Sequence, residues 1–124
     1  MLFSKAPRPA AKPIRIKTYS GQTGVAYQYY FVAETHAGGD RAYHFQVSAD
    51  ARHYAEIRVQ LPAAVLTAWQ QPRQRVLSET ECYAVAKLVL FQAFDTHAGP
   101  APLPASMAVT PAAMESIAVT LDFI

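Results

Sequence analysis

The sequence predicts an α+β domain: an antiparallel meander of four strands, a short and then a long helix packed on one sheet face, and a C-terminal fifth strand. Three observations predict it. Apolar residues alternate with polar ones through residues 14–61, the period lengthens to that of a helix over 62–96, and a short alternating run returns at 117–123. The 124 residues, 52% hydrophobic and 16% charged, hold enough apolar surface to offset the entropy of ordering one compact domain.

Residues 1–13 read as a basic, proline-containing arm. Pro7, Pro9 and Pro13 oppose a helix there, and five of the eleven basic residues but none of the nine acidic ones fall within residues 1–17. The remaining body, 14–124, is one domain. Its first strand is the alternation Ile14-Arg15-Ile16-Lys17, followed by a turn at Ser20-Gly21-Gln22-Thr23-Gly24 and three strands at 25–36, 41–49 and 53–61.

Register follows from the loops. A three-residue loop Ala37-Gly38-Gly39 pairs His36 with Asp40, Phe31 with Phe45 and Tyr29 with Val47. A second, Asp50-Ala51-Arg52, pairs Ala49 with His53, Val47 with Ala55, Phe45 with Ile57 and Tyr43 with Val59. The two hairpins agree on a core face of Tyr27, Tyr29, Phe31, Ala33, Tyr43, Phe45, Val47, Ala55, Ile57, Val59 and Leu61. The opposite face collects Gln28, Tyr30, Val32, Glu34, His44, Gln46, Ser48, Tyr54, Glu56, Arg58 and Gln60, polar with aromatic islands.

Pro62 suits the first turn of a short helix with Val65, Leu66 and Trp69 on one side, and Pro72 stops it. Ser78-Glu79-Thr80-Glu81 is a capping box that starts a second helix over 79–96, closed by Gly99 and Pro100. Cys82, Tyr83, Val85, Ala86, Val89, Leu90, Ala93 and Phe94 cover more than half of its circumference. That exceeds what contact with one small sheet requires, so either the final segment or a second chain covers the rest. Residues 99–113, with four prolines, form an irregular connector. Ile117, Val119, Leu121 and Phe123 then alternate as the fifth strand, placed either at an edge of its own sheet or on a neighbour's.

Several function classes lack their residues. Cys82 falls on the apolar side of the long helix, where a thiol behaves as a small hydrophobe and not as a nucleophile. The histidines His36, His44, His53 and His97 lack ligand spacing, and Gly21 and Gly24 give only a short G-x-x-G without a following Lys-Ser/Thr. No catalytic residue, cofactor or metal is implied. A single cysteine, no apolar leader and no run of apolar residues long enough for a bilayer lead to the expectation of a cytoplasmic protein that makes no membrane contact.

The apolar excess makes the leading reading a non-enzymatic protein-interaction module. The expected partner is a second copy, or another protein, buried against Tyr83, Val89, Leu90, Phe94, Ile117, Val119, Leu121 and Phe123. The alternative is single-stranded nucleic acid held by Lys5, Arg8, Lys12, Arg15 and Lys17 together with Tyr30, His44, Tyr54 and Arg58. A cationic path beside flat rings is what such ligands require. A third reading is a small-ligand-binding protein or enzyme with a pocket between sheet and helix, for which no acid, base and nucleophile can be named.

Overall fold

The computed structural model describes residues 14–97 and 102–123. The arm expected over 1–13, including Lys5, Arg8 and Lys12, lies outside the described residues. Strands β1 (Lys17–Ser20), β2 (Ala26–Ala37), β3 (Asp40–Ser48), β4 (Ala55–Leu61) and β5 (Ser106–Ala108) form one sheet in the order β1-β2-β3-β4-β5. The first four make the antiparallel meander, and β5 lies parallel to β4. Helices α1 (Ala63–Arg73), α2 (Glu79–Thr96) and α3 (Pro111–Thr120) complete the α+β fold. No helix among the described residues is long and apolar enough to cross a membrane.

Most of the expected core face holds, but Phe31 and Ala55 are exposed and Ala33 is not buried. Tyr27, Tyr29, Tyr43, Phe45, Val47, Ile57, Val59 and Leu61 are all buried, and they join Leu66 and Trp69 of α1 and the apolar side of α2 in one cluster. Phe31↔Phe45, Tyr29↔Val47, Val47↔Ala55, Phe45↔Ile57 and Tyr43↔Val59 pair as the loop arithmetic requires. Helix α2 spans the expected residues, and its capping box is formed. The Ser78 hydroxyl accepts from the Glu81 backbone N–H, and Glu81 reaches back to that of Ser78.

Several expectations are corrected. The loop joining β2 and β3 has two residues, not three: Ala37 pairs with Asp40, and Gly38 and Gly39 both take positive φ. That conformation matches the strand twist and favours glycine at both positions. The residue released from the loop reappears as a bulge between Phe31 and Ala33. Beyond it the side chains exchange faces, so Glu34 lies opposite the core residue Tyr43, while Ala33 joins His44 on the open face.

The first strand starts at Lys17, where 14–17 was expected. Its turn closes tightly, with the Gly21 N–H donating to the Val25 carbonyl, so pairing is set from the turn and ends at Lys17↔Tyr29. Pro72 does not stop α1, which runs one residue further before Gln74 turns left-handed at φ 50°. The irregular connector over 99–113 contains β5, whose pairing is continued on either side by Arg58 N–H to Ala105 and Val109 N–H to Gln60.

The largest correction concerns the C-terminus, where 117–123 is not a strand but mostly helix α3. The Thr110 hydroxyl caps it by accepting from the Ala113 N–H, and Pro111 occupies the first turn, where its missing N–H costs nothing. Met114, Ile117 and Ala118 are buried, whereas Val119 is 68% exposed. An alternating strand would have buried Val119; helical spacing turns it outward. Helix α3 packs on both α1 and α2, so the final segment covers the apolar excess of α2.

The β1–β2 turn docks on the last turn of α2. The Tyr19 hydroxyl and the Gln22 N–H both donate to the Asp95 carboxylate. Gly21 comes so close that a Cβ there would stand 2.6 Å from the Phe94 carbonyl oxygen. A Gly21→Ala variant is therefore expected to lose about 1–3 kcal/mol of stability in urea denaturation. Ser78→Ala, which removes the cap of α2, is expected to lose about 1 kcal/mol in the same measurement.

Candidate functional site

Strand β2 is twelve residues long, but β1 pairs only with its first four, from Ala26 to Tyr29. Among the described residues no strand pairs with the outer edge of β2 over 30–37. Backbone donors and acceptors on such an edge are a template for another strand. Apolar side chains crowd it: Phe31 is 41% exposed, Val32 in the bulge 52%, and Ile14 and Ile16, just before β1, 67% and 53%. Phe31 stays exposed because only its inner side is covered, edge-on by Phe45 and by Tyr83 of α2, with ring centroids 5.7 and 5.1 Å away.

One end of this edge is basic. Ile14, Arg15, Lys17, Tyr29, Tyr30, Phe31, Val32 and Tyr83 line a groove of about 550 Å³. The Lys87 ammonium of α2 lies 5.8 Å from the ring centroids of Tyr29, Tyr83 and Phe91. Burial, and then the neighbouring Lys17 ammonium, hold the Lys87 pKa below its ordinary 10.5. Among the described residues no acid pairs with Arg15, Lys17 or Lys87.

The other end is acidic. Glu34, turned to the helix side by the bulge, meets His36 and Arg41, and Arg41 donates to both carboxylate oxygens of Glu79 at 2.7 Å. The Arg41 guanidinium holds the Glu79 carboxyl below its usual value. Glu34, His36 and Glu79 bring one ligand atom each within 4.8 Å of one another. Arg41 already supplies the positive charge there, so the cluster is an ion-pair network and needs no metal ion.

The structure divides the other sequence-derived candidates. Tyr30 and Tyr54 do meet on the open face, centroids 5.8 Å apart, with the Tyr54 hydroxyl donating to Gln28. The His44 ring is held between Thr35 and Glu56, at 2.8 and 2.6 Å, while Arg58 lies across from it in exposed register. Arg15 and Lys17 sit instead at the β1 edge. The basic and aromatic halves of the nucleic-acid expectation therefore stand apart, joined only through Tyr30.

Of the expected interface residues, Val89, Leu90, Phe94 and Ile117 are buried within the single chain and require no second chain to cover them. Leu121 and Phe123 are half-buried, with Phe123 edge-on to Trp69, and Val119 is exposed. Tyr83 alone among them lines the free edge. Cys82 is fully buried and its thiol pKa is pushed up by burial, which disfavours the nucleophilic thiolate.

Compared with known families, with curated proteins and with solved structures, the chain shows no match.

The depressed pKa of Lys87 fixes a sign. Below its folded-state pKa, folding carries a constant penalty for the charged amine, and that penalty fades as pH rises towards 10.5. The melting temperature of the natural chain is expected to gain on that of Lys87→Met as the pH is raised from neutral to 10.5. A difference that stays constant over that window would show that Lys87 is no less easily protonated when folded.

Proposed function

We propose that this protein is a non-enzymatic interaction module that captures an extended protein segment along the free outer edge of β2. The observation that carries the reading is the edge over 30–37, which no described strand pairs, together with the exposed apolar side chains of Phe31 and Val32. Strand addition uses both: main-chain hydrogen bonds supply affinity, and alternate side chains supply selectivity. The groove beside Tyr83 offers a place for a side chain of the incoming segment. Burial of apolar area there contributes about 25 cal/mol per Å² before the costs of association.

A second reading, single-stranded nucleic acid, is favoured by one observation: Arg15, Lys17 and Lys87 gather beside exposed aromatic surface without an acidic partner among the described residues. Such binding would weaken steeply with added salt. Fluorescence anisotropy with a labelled single strand at low salt separates this reading from the first.

The strand-addition reading is tested by selecting peptides from a random library on the immobilised protein, at a surface density low enough to keep it monomeric. The expected outcome is enrichment of extended, alternating apolar sequences whose binding to a Val32→Lys variant is lost, because a lysine on the edge opposes pairing. Enriched peptides that bind the variant equally well, or no enrichment, would rule the reading out.

A further inference from the structure

We infer that the free edge of β2 takes the C-terminus of its partner: an extended chain, antiparallel to β2, that ends opposite Phe31 in an apolar residue whose carboxylate meets Lys17 and Lys87. The inference rests on the strand-addition reading and names the part of the partner that is recognised.

The edge is closed at one end. Strand β1 pairs with β2 as far as Lys17↔Tyr29, so a strand added beyond that point has to stop or turn away at Tyr30. Ile14 and Arg15, ahead of β1, face Tyr30, Phe31 and Val32 across the groove, and the β1–β2 pairing shuts the groove at Lys17. Strand β2 runs away from this closed end, from Phe31 to Ala37. An antiparallel newcomer runs towards it and brings its C-terminal carboxylate there; a parallel one would bring an N-terminal ammonium. The charges choose between the two. Arg15, Lys17 and Lys87 have no acidic partner among the described residues, and the Lys17 ammonium stands close enough to that of Lys87 to make it harder to protonate. An anion between two such cations relieves their repulsion.

Backbone register places the terminal residue. The Gly21 N–H donates to the Val25 carbonyl, which makes that couple a hydrogen-bonded pair. By alternation Tyr27 and Tyr29 also turn their backbone towards β1, and Phe31 is the next residue to face outward. A final residue opposite Phe31 sets its carboxylate to accept from the Phe31 N–H, at the end nearer Lys17. Residues directly opposite share a face, so its side chain lies on the helix side, where the rings of Phe31 and Tyr83 stand 5.1 Å apart and line the groove. That place suits an apolar side chain. Lys17, opposite Tyr29, and Lys87 of α2 lie on the same side. A mid-chain segment would have to bend away at Tyr30 and supply its anion from a side chain, whereas a free C-terminus supplies it where the path stops. A polyanion needs cations along its length; beyond Val32 the edge meets Glu34, His36, Arg41 and Glu79, already joined to one another.

The test uses the full chain and a random peptide library made in two forms, one with a free C-terminal carboxylate and one with a C-terminal amide. Selection from the first is expected to enrich peptides that end in an apolar residue. For an enriched peptide labelled at its N-terminus and followed by fluorescence anisotropy, amidation is expected to weaken binding by about tenfold or more, because it removes a charge-assisted contact. The gap between acid and amide should shrink in Lys17→Met and in Lys87→Met, and close when both are changed, with circular dichroism confirming an unchanged fold. Val32→Lys should bind neither form. Peptides that bind through Val32 equally well as acid and amide, that end in polar residues, or whose gap survives the double substitution would overturn the inference and leave strand addition standing. Absence of binding in either form would overturn both. A dimer in sedimentation that Val32→Lys dissolves would assign the edge to a second copy, and peptide binding only after removal of residues 1–12 would assign it to the chain's own N-terminus; each of these also overturns the inference.

Discussion

The structure depends on burying α2, a helix apolar over more than half its circumference, from two sides at once. The sheet covers one side through Tyr27, Tyr29 and Phe45, and α3 covers another through its buried stripe of Met114, Ile117 and Ala118. Aromatic packing concentrates at the C-terminal end, where Phe94 stacks on Tyr27 at 4.3 Å and Phe91 stacks on Tyr19 at the same distance. The placement of β1 follows from this. The strand is short, yet Tyr19 is fixed by a ring below and a carboxylate beyond it, so it stays where the turn sets it. With β1 held there, the outer edge of β2 beyond Tyr29 has no strand beside it among the described residues.

Most of the fold was legible in the sequence because its signals agree across levels. The alternation of Tyr43, Phe45 and Val47 against Ile57 and Val59 admits a single register, since slipping by one residue would expose the whole core. The capping box at Ser78 fixes the start of α2 by satisfying two backbone donors that no other residue supplies. The C-terminal segment misleads because Ile117, Val119, Leu121 and Phe123 fit period two over only seven residues. The stronger signal was Thr110-Pro111, a cap followed by a first-turn proline, which opens a helix whose apolar spacing includes Met114. Strand β5 left no readable pattern: three residues pairing in parallel with β4 are chosen by the tertiary neighbour and not by their own periodicity.

The candidate site was legible only in parts. Tyr83, Arg15, Lys17 and Tyr30 were singled out by residue type, but for separate purposes; what unites them is the short reach of β1, which no composition reveals. Phe31 was assigned to the core because its register is right. Its exposure follows from β1 stopping at Tyr29, which leaves one side of Phe31 uncovered among the described residues. Glu34 was placed on the wrong face by a bulge that transfers one residue from the turn to mid-strand. Two adjacent glycines carried the clue, since they permit the tighter turn. The ion pair between Arg41 and Glu79 joins residues 38 positions apart and has no local signature.

The covering of α2 by α3 also orders events in time. During synthesis α2 is complete well before residues 111–120 leave the ribosome, so Val89, Leu90 and Phe94 pass through an interval without their final shelter. Until α3 emerges, that apolar side of the nascent chain is open to non-native contacts.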